Sequence, residues 1–206
     1  MLWDASAING YDIEASDGRL GTVSDLLFDD VGWAIRWLVV DTGNWPPGRK
    51  VLLPPSALKQ SDRTLRHFSV KLTMQQVKDS TDVDTDQPDL RSIATVTGYH
   101  IHATDGEIGH VDDFLVDDAS WTIRYVAVDT KNWRPGKKVL ISLQSAQEID
   151  SAKRLIHLIV NRQKVKDGPP YDASIIPYVL RHQVGCNLRS AIGAHPDPGS
   201  LLSRCL

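Results

Sequence analysis

Cysteine is scarce in this 206-residue sequence, and long hydrophobic runs and an excess of charge of one sign are missing. The two cysteines, Cys186 and Cys205, both lie near the C-terminus, so the rest of the chain must fold without disulfides, as suits a reducing compartment. No stretch reaches the roughly 18 apolar residues of a membrane-spanning helix. The start of the chain also lacks the basic and apolar regions of a secretory signal. We therefore expect a cytoplasmic protein without a membrane span.

The charge balance argues against nucleic acid as a direct partner. The chain has 23 Lys and Arg against 26 Asp and Glu, a formal net charge of −3. Binding to RNA or DNA depends on a clustered positive field, which this sequence does not supply.

The motifs of common catalytic sites are also missing. The sequence has no Gly-x-Ser-x-Gly nucleophile turn and no phosphate-binding glycine loop. We predict a protein that is not an enzyme and needs no cofactor.

What the sequence does contain is an internal repeat with an offset of 88 residues, which places Gly10 opposite Gly98. Residues 10–52 align with residues 98–140 without a gap, and 25 of the 43 pairs are identical. A period this long indicates duplicated domains rather than a solenoid. We predict two modules, residues 1–88 and 89–176, each closed around its own core. An irregular or poorly ordered tail, residues 177–206, follows them.

Each copy has the pattern of a small β module. Asp17-Gly18 predicts a hairpin turn, and residues 35–40 form the strongest strand pattern. Residues 73–76 have the form of a capping box and predict a short helix at the end of the copy. Ser6 is expected to cap a helical turn at its start. Five or six short strands with tight turns and one terminal helix are typical of a small barrel or half-open sheet. A sandwich is the alternative, but at about 80 residues a barrel covers its own edges more economically.

The strand at residues 35–40 is apolar on both faces, and so is its counterpart in the second copy. A strand that is buried on both faces needs cover outside its own sheet. That cover could be the other copy, another chain, or the helix that begins near Thr73 in the same module. The expected interface residues are Trp37, Leu38, Val40, Val126 and Val128.

Two tryptophans in equivalent loops, Trp45 and Trp133, each stand before a Pro-Gly pair. Exposed tryptophan is a typical anchor for a protein partner. The alternative is that these indoles, like Trp33 and Trp121, close one end of each module.

Three histidines of the second copy offer a different interpretation. His100 and His102 share one face of a strand, and His110 lies on the next strand. This spacing suits a divalent metal and would make the chain a metal- or ligand-sensing protein. The first copy has other polar residues at these positions, which instead indicates an exposed polar face, and we predict no metal site.

The sequence resembles the PRC-barrel family over roughly residues 4–88 and 92–172. The shared features, present in both copies, are the Gly-Tyr before the first strand, the Asp-Gly-x-x-Gly hairpin, the Asp-Asp turn, Trp-x-Ile-Arg, Val-Asp-Thr and the closing Trp-x-Pro-Gly-x-Lys-Val-Leu run. The resemblance implies a mainly β fold of two tandem small PRC-type β-barrels, each with a short C-terminal helix.

The same resemblance implies a role in protein assembly. The family includes the cytoplasmic part of the photosynthetic reaction-centre H subunit and the C-terminal domain of a ribosome-maturation factor. We therefore expect a non-enzymatic scaffolding module that binds a protein partner or itself, with its two repeats packed as a pseudo-dimer. A ribosome- or RNA-associated assembly factor is a further alternative, against which the charge balance speaks.

Overall fold

The computed structural model describes residues 2–43, 50–62, 66–79, 90–130, 138–167 and 171. Trp45, Trp133 and the predicted tail lie outside these ranges, so the predictions about them stay predictions. Within the ranges, no helix has the length and apolar character needed to cross a bilayer.

Both repeats contain the same elements in the same order, displaced by the offset seen in the sequence. The first repeat has β1 (Leu2–Asp4), α1 (Ala5–Ile8), β2 (Asp12–Ala15), β3 (Gly18–Asp29), β4 (Ile35–Asp41), β5 (Lys50–Leu53), β6 (Leu58–Asp62), β7 (His67–Val70) and α2 (Met74–Asp79). The second has β8 (Leu90–Ser92), α3 (Ile93–Val96), β9 (His100–Ala103), β10 (Gly106–Asp117), β11 (Thr122–Asp129), β12 (Lys138–Ser142), β13 (Ala146–Asp150), β14 (Leu155–Leu158) and α4 (Arg162–Lys166). The mainly β fold with a short helix at the end of each repeat is confirmed.

Each repeat forms one sheet with the same strand order. The first sheet runs β5-β4-β3-β2-β7-β6 and the second β12-β11-β10-β9-β14-β13. Neighbouring strands are antiparallel except β2 with β7 and β9 with β14, which are parallel. Among the described residues no pairing joins β5 to β6 or β12 to β13, so both sheets are open paths. Closure into barrels stays a prediction.

The two repeats exchange their first strands. β1 of the first repeat pairs with β10 of the second, and β8 of the second pairs with β3 of the first. Two further bonds join the repeats where β4 and β11 begin. The Ile35 N–H donates to the Trp121 carbonyl, and the Ile123 N–H donates to the Trp33 carbonyl, both at 2.7 Å. Strand pairing therefore crosses the module boundary predicted at residue 88.

The exchange produces one hydrophobic interior. A single cluster of buried side chains contains residues of both repeats, and the rings of Phe28 and Phe114 meet across it with centroids 5.9 Å apart. The exchanged segments bring Trp3 and Ile8 of the first repeat and Ile93 of the second into this cluster. The expectation of two separate cores is wrong, because the first strand of each repeat pairs with the sheet of the other and its side chains pack in one shared cluster.

A carboxylate holds each exchanged segment in place. Asp113 accepts hydrogen bonds from the Ser6 backbone N–H at 3.1 Å and from the Ser6 hydroxyl. In the other repeat, Asp25 accepts from the Ala94 N–H at 3.1 Å and from the Ser92 hydroxyl. Asp113 is buried, and this burial raises the pKa of its carboxyl above the usual value despite the hydrogen bonds that favour the charged form.

The helix ends test two sequence predictions. Thr73 and Gln76 form the predicted capping box: the Gln76 N–H donates to Thr73 Oγ1 at 3.1 Å, and the Thr73 N–H donates to Gln76 Oε1 at 2.9 Å. The prediction for Ser6 is wrong. Asp4 occupies the N-cap position of α1, and the Ser6 side chain bonds to Asp113 instead.

The Asp-Gly-x-x-Gly motif has two structural roles. Asp17 Oδ1 accepts the N–H of Met74, the first residue of α2, at 2.7 Å. Gly21 lies against the backbone of Asp41, where an added Cβ would come within 2.1 Å of the carbonyl oxygen. Both contacts recur in the second repeat. The motif therefore joins the hairpin to the terminal helix and to the neighbouring strand.

Candidate functional site

The residues predicted at the doubly apolar strand lie mostly in the shared core. Leu38, Val40, Val126 and Val128 are fully buried, whereas Trp37 is half-buried. A fully buried side chain cannot touch a second protein unless the core opens. The apolar character of these four residues is therefore explained within the chain.

A β-bulge changes which residues share a face. Trp37 pairs with Leu27 and Ile35 with Phe28, so Arg36 is inserted between two consecutive pairs. Ile35 consequently lies in the same core as Leu38 and Val40, although strict alternation would put it on the other face. Arg36 points outward and pairs with Asp29, with 2.8 Å between Nε and Oδ2, as expected for an arginine in a strand.

In the second repeat the outer face of the doubly apolar strand is covered from within the chain. Leu115 and Ala127 are fully buried there, and Leu2 of the exchanged strand and Tyr171 pack against them. The Tyr171 hydroxyl also donates to Asp4 at 2.7 Å. Of the alternatives for this cover, the other copy supplies part of it, together with a residue beyond α4.

The histidine face does not form a metal centre. His100 Nδ1 lies 2.9 Å from Glu107 Oε1, and His102 packs edge-on against His157 with ring centroids 6.3 Å apart. His110 lies opposite His100 on the neighbouring strand. Within the described ranges, no group of three His, Cys, Asp or Glu side chains could hold a metal ion. The metal-sensing interpretation therefore gains no support from this face.

A pocket of about 210 Å³ lies at the junction of the two repeats. Its walls come from the exchanged β1 and α1, from β6 and β7 of the first repeat, and from the β10–β11 turn of the second. Its lining includes Trp3, Leu58, Lys59, Phe68, Asp118 and Trp121. The sequence alone does not reveal this combination, because the residues are far apart along the chain.

Aromatic rings form much of the wall. Phe68 stacks on Trp3 at 5.7 Å between centroids with an interplanar angle of 18°. The Tyr11 ring contacts both, with centroids 5.6 Å from Trp3 and 5.1 Å from Phe68. Trp121 adds a fourth ring, 6.1 Å from Phe68 and tilted against it. Trp3 and Phe68 are buried, whereas Trp121 is half-buried. The indole of Trp121 is thus the most accessible ring of the pocket.

One carboxylate stands among these rings. Asp118 Oδ2 accepts a hydrogen bond from the indole Nε1–H of Trp3 at 3.1 Å. The turn that carries Asp118 also positions Trp121, whose backbone is left-handed with φ 50° and whose N–H donates to the Asp117 carbonyl at 2.7 Å. The tight turn therefore places the carboxylate and an accessible indole at the same opening.

The equivalent place in the other half of the molecule is built differently. Arg91 of the second repeat occupies the position equivalent to Trp3 of the first. Its Nη2 lies 2.8 Å from Oδ2 of Asp30, which is the residue equivalent to Asp118. Ile156 stands at the position equivalent to Phe68. The two halves therefore share the carboxylate and the turn tryptophan but differ in the side chain that faces them.

The lining of the pocket combines aromatic, acidic and basic side chains. No histidine, serine or cysteine is found among its described lining residues. It offers aromatic faces, one carboxylate, and the stem of Lys59, whose side chain is exposed.

Comparison with known proteins identifies the fold family. The model of the PRC-barrel domain matches residues 4–72 and 88–162, one match for each repeat. Curated proteins give no match to the chain. Because the family model covers well over half of the sequence, the chain belongs to the PRC-barrel domain family, of which it carries two tandem copies.

Proposed function

We propose that this chain is a non-enzymatic protein-binding module whose two repeats pack like the subunits of a dimer and present the junction pocket to a partner. The observation that carries the proposal is the pocket's size. Sites for small organic ligands usually measure about 300–1,000 Å³, and this pocket measures about 210 Å³. Since an engineered cavity of about 150 Å³ holds a benzene molecule, the space suits one side chain.

The composition of the pocket supports the same function. Binding energy at protein interfaces is concentrated at aromatic and arginine side chains that insert into well-packed pockets. Here Trp3 and Phe68 form a rigid wall, because both are buried and stacked on each other. A wall that is ordered before binding lowers the entropic cost of association.

Photo-crosslinking tests the proposal with an internal control. A photoreactive amino acid at position 59, which lines the pocket and is exposed, should join the chain to one defined protein in cells of its host. The same amino acid at position 147, the equivalent and also exposed position in the other repeat, should not. Trp121→Ala should reduce the adduct at position 59 at least about tenfold, the factor for a loss of 1.4 kcal/mol.

The outcomes distinguish the possible partners. An adduct between two copies of this chain would identify self-association, and an adduct with another protein would identify a separate partner. Identical adduct patterns from positions 59 and 147, or a pattern unaffected by Trp121→Ala in a variant whose circular dichroism is unchanged, would refute the proposed role of the pocket.

A further inference from the structure

The pocket lies where the two repeats differ in the size of one core residue. Val116 of the second repeat occupies the position equivalent to Phe28 of the first. The two residues have the same place in their sheets, because Phe28 pairs with Ile35 and Val116 pairs with Ile123. Both are buried, and Val116 lines the pocket. The second repeat therefore has a small aliphatic side chain where the first repeat has an aromatic ring.

The first repeat shows which residue this ring contacts. Phe28 stacks on the turn tryptophan Trp33, with 5.4 Å between the ring centroids and an interplanar angle of 13°. Aromatic pairs at such distances contribute free energy beyond that of apolar burial alone. The stack therefore holds the turn tryptophan of the first repeat against its own sheet.

The turn tryptophan of the second repeat has the same backbone but different neighbours. Trp121 has φ 50° and Trp33 has φ 56°, and the N–H of each donates to the carbonyl of an equivalent aspartate, Asp117 or Asp29. Among the described residues, the ring that contacts Trp121 is Phe68, which is tilted against it by 54°. The described part of the chain thus supplies no parallel ring to the indole of Trp121, which lines the pocket.

The other lining residues define the chemistry of an occupant. Ile8, Phe68 and Val116 contribute fully buried apolar side chains to the wall. A charged or polar group placed against them would lose its hydrogen bonds to water, so an apolar group is favoured. A cavity of about 150 Å³ holds one benzene molecule, and the pocket measures about 210 Å³. One phenyl ring therefore fits.

We infer that the junction pocket takes a phenyl ring of the partner, from a phenylalanine or tyrosine side chain, stacked on the indole of Trp121 beside Val116. This inference rests on the proposed function and assigns the anchor that the partner presents. The incoming ring has the place beside the turn tryptophan that Phe28 has in the first repeat.

The experiment titrates the full-length chain with the tripeptide Gly-Phe-Gly, acetylated and amidated at its ends, and follows methyl and indole N–H signals by NMR. We expect saturable shifts for the Val116 methyl groups and the Trp121 indole, with a dissociation constant on the order of millimolar. The signal of the Trp33 indole should not move, because Phe28 already covers that ring.

A second peptide tests whether the occupant must be aromatic. Cyclohexylalanine has nearly the shape of phenylalanine but no aromatic ring, so it can neither stack nor produce a ring current. Its tripeptide should bind at least about threefold more weakly and should shift the Val116 methyl signals less at saturation.

Variants then locate the binding. Trp121→Leu removes the stacking surface but keeps an apolar side chain, and it should weaken binding of the phenylalanine peptide at least about fivefold. Trp33→Leu, the matched change in the first repeat, should leave the affinity within about twofold of the wild type. Val116→Phe should fill the space from inside and abolish the shift of the Trp121 indole, with circular dichroism unchanged.

Three results would overturn the inference. The first is that the Val116 and Trp121 signals do not move at peptide concentrations up to about 20 mM. The second is that the cyclohexylalanine peptide binds as tightly as the phenylalanine peptide. The third is that the Val116 signals shift with the same midpoint in Trp121→Leu, a titration that decides the question even where Val116→Phe does not fold.

The two proposals fail separately. If the phenylalanine peptide does not bind but position 59 still crosslinks to one protein, the protein-binding function stands and the anchor is not a phenyl ring. If the peptide binds and no protein is captured at position 59, the pocket chemistry stands and the proposed function fails.

Discussion

Replacement of Asp113 tests how the two repeats are held together. Asp113 is only 8% exposed, and its carboxylate accepts three hydrogen bonds: from the Ser6 N–H at 3.1 Å, from the Ser6 hydroxyl, and from the Phe114 N–H at 2.7 Å. Asp113→Ala leaves these donors without their acceptor. Breaking such a network costs about 3 kcal/mol of unfolding free energy, after allowance for the carboxylate that no longer has to be desolvated.

Asp113→Asn is the matched control. The amide oxygen can still accept from the two backbone N–H groups, and its NH₂ group can donate to the Ser6 hydroxyl after that hydroxyl rotates. We expect it to lie within about 1 kcal/mol of the wild type. For a chain of this size, the alanine variant should melt about 6–12 °C lower than the wild type.

The pH dependence provides a second measurement. Burial raises the pKa of Asp113 above its ordinary value of 3.8, so the folded chain holds this proton more tightly than the unfolded chain. Ionisation of Asp113 therefore lowers the wild-type stability as the pH rises from 3.8 through the folded pKa. The unfolding free energy of Asp113→Asn minus that of the wild type should rise over this window and stay constant above it.

Urea denaturation followed by tryptophan fluorescence measures all three proteins. An alanine variant within about 1 kcal/mol of the wild type would refute the view that this carboxylate fastens the exchanged segment. A stability difference between the asparagine variant and the wild type that falls with rising pH would show that the sign of the ionisation effect is wrong.

Two further predictions concern the backbone and the assembly. Gly109→Ala should lower the free energy of unfolding by at least about 3 kcal/mol, because the added Cβ would lie 2.0 Å from the backbone carbonyl oxygen of Asp129. Gly98 has φ +85° and open space around it, so Gly98→Ala should lower the free energy of unfolding by only about 1–2 kcal/mol. Equal unfolding midpoints of the two variants in urea would contradict this prediction. The second repeat expressed alone, residues 89–171, should form a dimer by light scattering, because a second copy can take the place that the first repeat has in the full chain, where β1 pairs with β10 and β8 with β3. A folded monomer would contradict this prediction and would show that the first strand can return to its own sheet.

Much of the fold could be predicted from the sequence because the relevant signals are local. The hairpin at Asp17-Gly18 and the helix after Thr73 depend on residues that are close in the chain, and the structure contains both. The strand exchange could not be predicted. The same residues would pair with the same edge whether the first strand stayed in its own repeat or crossed to the other. The alternation of residues along the strand likewise does not predict the bulge at Arg36, which moves Ile35 into the core.

The pocket was missed for a different reason. Its character depends on a difference between the copies, Trp3 in one and Arg91 in the other, whereas the repeat directs attention to positions that agree. Extending the alignment toward the N-terminus at the same offset would have placed these two residues opposite each other. That they face Asp118 and Asp30 could not be read from the sequence, because both contacts cross between the repeats.

Asp30 and Asp118 are equivalent in the repeat, but Arg91 contacts one and Trp3 the other. This difference has a consequence for how such a molecule can evolve. In a homodimer encoded by one short gene, every substitution is present in both subunits. A substitution that removes the arginine from one of the two equivalent sites therefore removes it from the other site as well. A tandem gene separates the two positions. One site can keep the Arg91–Asp30 ion pair, while the equivalent site changes independently and has the indole of Trp3 as a donor to Asp118.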